Sequence, residues 1–190
     1  QETCVTVTWM KFCYQLLLLT GDPIFADCFE QSMYNAYLGA INTEKKMCQS
    51  GLPSDVEVIS TLLPFDSYSP LLPGMRGRHI GGAKVLPDKT YYGCCACIGA
   101  AGAGLIPKVA AMITDDGLAL NLYISGFIKA KTPDGEDVYL SIATDYPKSG
   151  HVKIKVVKSE SQRFDLALRI PSWSVQTALR VGNERIEVVP

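Results

Sequence analysis

The chain carries almost no excess charge of either sign. Eighteen Lys and Arg stand against 19 Asp and Glu, for a formal net charge of −1 over 190 residues. It has no basic patch to follow a phosphate backbone and no acidic tail, so the pattern argues against nucleic-acid partners and against disorder. It also has no long apolar run. Leu16 to Leu19 with their neighbours are far too few to span a bilayer, so no membrane partner is expected. No signal-peptide pattern is visible in these residues, and the chain begins at Gln1, not Met, in what reads as a helix start. The expectation is a piece of a longer protein, whose targeting signals would lie elsewhere. Only two His occur, and neither a Ser-His-Asp arrangement nor a phosphate-binding glycine loop is visible. Internal repeats and low-complexity tracts are lacking too.

What is present is a hydrophobic fraction of 47%, enough for a real core, and seven cysteines. Seven is high for this length, and odd. A secreted disulfide scaffold would be shorter, loop-rich and even in its count. The balance favours a reduced compartment, the cytoplasm slightly, or thiolates protected by a metal. Cys13 and Cys28 sit in helical, apolar contexts and read as core residues. Cys48 lies in a polar loop and has no assigned role.

Cys94, Cys95 and Cys97 fall within four positions. Neighbouring cysteines close only a strained ring, so Cys94-Cys95 is poor material for a disulfide. The pair is better suited to two thiolates facing one soft metal ion. Glu2-Thr3-Cys4 offers one more sulfur and a carboxylate. The two segments can therefore supply four zinc ligands: Glu2, Cys4, Cys94 and Cys95. Bland readings stand beside this one. The four could form a structural clamp, because closed four-ligand sites are usually structural. Cys94-x-x-Cys97 has the spacing of a redox motif, though without a βαβ context. Glu2 could simply be an acid placed at a helix start.

In chain order, Val5, Trp9, Phe12, Leu16 and Leu19 form one helical stripe. Gly21 stops that helix, and Asp22-Pro23 starts another carrying Ile24, Phe25, Cys28, Tyr34, Tyr37 and Leu38. From Asn42 to Tyr92, Pro and Gly alternate. Apart from a short strand at Val56–Ile59, this reads as ordered coil lining a site. Ile98 to Met112 reads as a helix whose glycines permit close packing. After Asp115-Asp116-Gly117 the period becomes two. Strands are expected at 118–124, 138–143, 152–157, 164–170, 178–181 and 185–189, with turns at Thr132–Gly135 and Gly182–Glu184. The fold class is α+β, divided near residue 114 into a helical part, 1–114, and an antiparallel β-sandwich part, 115–190. Tyr68, Tyr91, Tyr92 and His79 could reach a site lined by that coil, but packing or solvated roles fit them better. His151 reads as a surface residue, and Trp173 as an anchor for the sandwich.

Several of these pieces together resemble glycoside hydrolase family 127, whose best-known members are β-L-arabinofuranosidases. They are Glu2-Thr3-Cys4, Gly21-Asp22-Pro23, Ser32-Met33-Tyr34-Asn35-Ala36, Cys94-Cys95, Asn121-Leu122-Tyr123 and Arg169-Ile170-Pro171-Ser172-Trp173-Ser174. The resemblance implies the end of an (α/α)6 barrel followed by sandwich material. It also implies zinc held by Glu2, Cys4, Cys94 and Cys95, with Cys94 as the nucleophile of a retaining glycosidase acting on arabinofuranosides or related plant-type sugars. The acid/base glutamate would precede Gln1, so the piece by itself is expected to be inactive. The family usually follows the cysteine pair with Pro-Pro-Asn. Here Ala96-Cys97-Ile98-Gly99 follows, which bears on the substrate more than on the metal and leaves Cys97 as a competing thiol. The alternative is a non-catalytic carbohydrate-binding or structural module held by zinc. An exposed barrel-facing surface would favour aggregation or pairing with another copy.

Overall fold

A computed structural model describes residues 2–41, 84–85, 91–92 and 94–188. Cys48, Val56–Ile59, Tyr68 and His79 lie outside the described residues, as does most of the Asn42–Tyr92 coil. The described residues fall into two compact units. One runs to Gly21 and resumes from Cys28 to Ile106; the other combines Asp22–Asp27 with the chain from Pro107 onward.

The first unit is helical. Helix α1, Thr3–Thr20, ends where Gly21 takes a left-handed φ of 67° and its N–H reaches the Leu17 carbonyl. Helix α2, Ile24–Ser32, belongs to the second unit up to Asp27 and to the first from Cys28; the Asp22 side chain starts it by accepting from the Ile24 N–H at 3.0 Å. It continues through a π-helical turn, Met33–Tyr37, into the short α3, Leu38–Ala40. A two-residue hairpin, β1 Lys84–Val85 with β2 Tyr91–Tyr92, precedes α4, Cys94–Ala110. The core of this unit takes Val7, Met10, Cys13 and Leu17 from α1, and Phe29, Met33 and Tyr37 from the chain after Gly21. Each large apolar side chain among them contributes about 1.5–3 kcal/mol on burial.

The buried face of α1 is not the stripe the sequence suggested. Val5, Trp9, Phe12 and Leu19 are exposed, Leu19 by 80%. Val5 and Val7 are two positions apart, about 200° around a helix, so the chosen stripe lies opposite the buried one. Both faces of α1 are apolar, and periodicity alone cannot choose between them.

Contact between the helices depends on Gly102. A Cβ there would lie 2.7 Å from Tyr37 Cε2 and 2.9 Å from Val7 Cγ2. The missing side chain lets α4 lie directly on the Tyr37 ring, whose hydroxyl donates to the Gly99 carbonyl at 2.7 Å.

The second unit carries two three-stranded sheets. Their orders are β3-β4-β8 (Ala111–Ile113, Gly117–Leu120, Asp165–Leu168) and β5-β6-β7 (Gly126–Lys131, Asp137–Thr144, Val152–Ser159). A ribbon of β9 Leu179–Val181 and β10 Glu184–Ile186 follows. Leu118 and Leu120 of one sheet share a core with Val138, Leu140 and Ile142 of the other. Ladders are antiparallel except β4–β8, which runs parallel because the whole β5-β6-β7 sheet intervenes in the chain. Gly117 permits that pairing, since a Cβ would meet the Asp165 carbonyl at 2.0 Å. The expected helix to Met112 stops two residues sooner, because 111–113 pairs with β4. Strand β5 was not foreseen.

One buried polar knot explains why the quoted motif residues belong together. Arg169 is an ion-pair partner of Asp27, and its Nε donates to the Asn121 carbonyl at 2.5 Å. The Tyr123 hydroxyl donates to the Arg169 carbonyl at 2.5 Å, and the Asn121 amide donates to the Val109 carbonyl at 3.1 Å. Asp27 also accepts from the Ser172 N–H at 3.0 Å. Trp173 is not a core anchor. It is 59% exposed and stacks on Tyr146, which meets Tyr123 edge-on. His151 is exposed, as expected.

Candidate metal centre

Within the helical unit, two helix N-termini bring the chemical side chains together. Glu2 occupies the cap position of α1 with extended backbone, but its carboxylate makes no capping hydrogen bond. No capping bond therefore occupies that carboxylate, although its place at the helix start also suits the helix dipole. Cys4 follows in the first turn of α1, and Cys94 and Cys95 open α4.

The ligand atoms of Glu2, Cys4, Cys94 and Cys95 all lie within 4.8 Å of one another. Cys4 Sγ is 3.6 Å from Cys94 Sγ and 3.4 Å from Cys95 Sγ, and the pair is separated by 3.9 Å. A disulfide needs about 2.05 Å, so these are three separate thiols. A tetrahedral ion with metal–sulfur bonds near 2.3 Å would space its sulfurs about 3.8 Å apart. The separations fit that edge. Cys97, one turn further along α4, is exposed and stands outside the group. The Tyr91 and Tyr92 side chains are outside the description.

The electrostatics of the cluster point the same way. Burial pushes the Cys4 thiol far above its ordinary range, and the neighbouring Cys95 and Cys94 thiols add to the shift. Three sulfurs and a carboxylate this close cannot all be anionic without a cation among them. The donor set therefore suits a metal ion that prefers thiolate and carboxylate, and the residues present could hold one.

Sequence reasoning named all four residues but not what holds them. Tyr37, Gly99 and Gly102 fix α4 from behind, as the 2.7 Å hydrogen bond and the close approach at Gly102 show. The only signal was the run of small residues after Cys97. Asp27 was likewise unmarked, because its partner lies 142 positions away.

Comparison with known proteins adds two matches to family models. Residues 1–55 match the description "Beta-L-arabinofuranosidase, GH127 catalytic domain", and residues 117–189 match "Beta-L-arabinofuranosidase, GH127 middle domain". A GH127 β-L-arabinofuranosidase from Geobacillus stearothermophilus T6, Ara127N-Se, is similar in structure over 100% of the chain, with a TM-score of 0.66 at 23% identity. A second structure, described as a glycoside hydrolase, gives a TM-score of 0.65 at 23% identity. The chain spans 28% and 29% of these two proteins. No curated protein sequence matches the chain. With two models of one family matched in order, the chain belongs to glycoside hydrolase family 127.

Proposed function

We propose that Glu2, Cys4, Cys94 and Cys95 hold zinc in a retaining glycoside hydrolase that acts on arabinofuranosides or related plant-type sugars, with Cys94 as nucleophile. One observation carries this reading: a carboxylate and three sulfurs converge from segments 90 residues apart in sequence. In this reading the helices are the end of an (α/α)6 barrel, residues 1–114, and residues 115–190 supply sandwich material. The activity belongs to a polypeptide of the length its structural neighbours have.

Zinc, when bound, supplies the positive charge that keeps these thiols ionised at neutral pH. Cys94 is half-buried, as a reacting sulfur must be, while Cys95 is fully buried; the choice of Cys94 over the equally half-buried Cys4 follows the family resemblance. The Cys94 thiolate attacks the anomeric carbon, the carbon–oxygen bond to the leaving group breaks, and a second group protonates that oxygen. Water then releases the sugar with net retention. Sharing charge among three sulfurs and a carboxylate leaves more electron density on each sulfur than one thiolate facing the ion alone would keep.

The closed four-donor set also favours a second reading, a structural zinc in a non-catalytic carbohydrate-binding module. Two measurements separate them. Protein purified reduced and without chelator should carry near-stoichiometric zinc, released with its thiols at acid pH. Zinc-free protein with freely titrating thiols would remove the ligand assignment. In the full-length protein, Cys94→Ser should abolish turnover of an arabinofuranoside while zinc is largely retained. Unchanged turnover would rule out Cys94 as nucleophile, whereas no turnover by the unsubstituted full-length protein would favour the non-catalytic reading.

A further inference from the structure

The sequence shows no basic patch, but strand pairing gathers one: the outer face of sheet β5-β6-β7 concentrates lysines that are scattered along a chain whose net charge is −1. Register aligns Phe127, Ser141 and Lys155 in one row across the three strands, and Lys129, Tyr139 and Lys158 in the next. Lys153 lies opposite Ala143 on the same face. The inner face of these strands is taken by Ile128, Leu140, Ile142 and their neighbours in the core.

The rows describe a shallow trough. Small side chains, Ser141 and Ala143, floor one end, and the Tyr139 ring floors the other, with Lys129 Nζ 5.4 Å and Lys158 Nζ 5.7 Å from its centroid. Both outer strands carry lysines along the rims. Strands pack about 4.8 Å apart, so the rims stand roughly 9.6 Å from one another, room for one flat sugar ring. Asp137 pairs with both Lys129 and Lys131 and offsets one of their two charges, and Glu160 pairs with Lys158. Lys153 and Lys155 have no ion-pair partner among the described residues. Phe127 stands at the end of a row 88% exposed.

Lysines on edge strands also guard a sheet against unwanted pairing. That function explains the charge. It does not explain a fully presented phenylalanine beside it.

We propose that this face binds a linear polysaccharide bearing carboxylates, a uronate-containing chain. Its carboxylates meet Lys153 and Lys155, and one sugar stacks on Phe127. Among polyanions, the choice of a saccharide rests on the glycosidase reading above. The residue types support it: the face presents only lysines as cations, point charges suited to single carboxylates, and none of the arginines that favour forked contacts with phosphate.

The probe is polygalacturonate, with neutral arabinan and double-stranded DNA as comparisons. Binding to the 190-residue chain is read by affinity electrophoresis and titration calorimetry at low and raised salt. Polygalacturonate should retard the protein, arabinan should not, and retardation should weaken as salt screens the lysines. The exposed double variant Lys153→Glu/Lys155→Glu should lower affinity by about tenfold or more. Phe127→Ala should lower it by roughly threefold to tenfold, leaving the salt dependence unchanged. Circular dichroism confirms that the variants fold.

No retardation, equal retardation by DNA, or indifference to all three substitutions would overturn the proposal. The glycosidase reading is scored separately, by turnover of an aryl arabinofuranoside in the full-length protein. Turnover without polygalacturonate binding would count against this face alone. Binding without turnover would count against the glycosidase reading alone.

Discussion

Asp27 and Arg169 show what a single residue carries in this molecule. The Arg169 side chain is 1% exposed and Asp27 13%. A guanidinium that deep is stable only while its carboxylate is present. Asp27→Ala should cost about 3–5 kcal/mol, read as a lower urea midpoint. A loss under about 1 kcal/mol would show that the other partners of Arg169, the Asn121 carbonyl among them, satisfy the charge. Cys13 makes a pH argument at the same scale. Burial, then the charge of Cys28, pushes its thiol up to about 11 from an ordinary 9.0. Between those values the unfolded chain has lost a proton that the folded one keeps, so stability falls as pH rises from 9 towards 11. The loss should be on the order of 2 kcal/mol, and Cys13→Ala should flatten that part of the profile. An equally steep profile in the variant would place the ionising group elsewhere. The four candidate ligands were legible as residue types, because adjacent cysteines have few other uses. Asp27 was not, since an acid early in a helix has a sufficient local explanation in the helix dipole.

At the scale of elements, α4 is the part on which the centre depends. It carries Cys94 and Cys95 at its start and rests on Tyr37 two turns later. Gly102→Ala would put a methyl 2.7 Å from the Tyr37 ring and lift the helix. The expected cost is about 1–3 kcal/mol, with weaker zinc retention in a chelator competition. Gly104→Ala is the matched control, since nothing lies within 4 Å of its Cβ. It should stabilise by up to about 1 kcal/mol through helix propensity alone. If both variants behave alike, close packing at Gly102 is not what positions the cysteines. Helix ends were legible because capping is local: Gly21 and Asp22 act within four residues. The buried face of α1 was not, because Val7, Met10 and Leu17 form a second apolar stripe opposite the one marked by Trp9 and Phe12. Strand β5 escaped for a related reason. Its outward Phe127, Lys129 and Lys131 mix apolar and charged side chains, and its inward Ala130 is too small to mark an alternation.

For the molecule as a whole, the two compact units predict different responses to metal. All four candidate ligands lie in the helical unit, on the first turns of α1 and α4. An ion bound there and absent from the unfolded chain stabilises by RT ln(1 + [L]/Kd), about 2.7 kcal/mol at a hundredfold excess over Kd. That free energy should appear first where the ligands anchor backbone. Hydrogen exchange with and without zinc should show slowed amides from Thr6 through Met10 and from Ile98 through Gly102. The amides of β5, β6 and β7 should exchange at unchanged rates, since their core contains no cluster residue. Slowing confined to the sheets would move the metal away from the cysteines. Slowing everywhere would mean that the two units open together, and the metal would then be coupled to the fold of the entire chain.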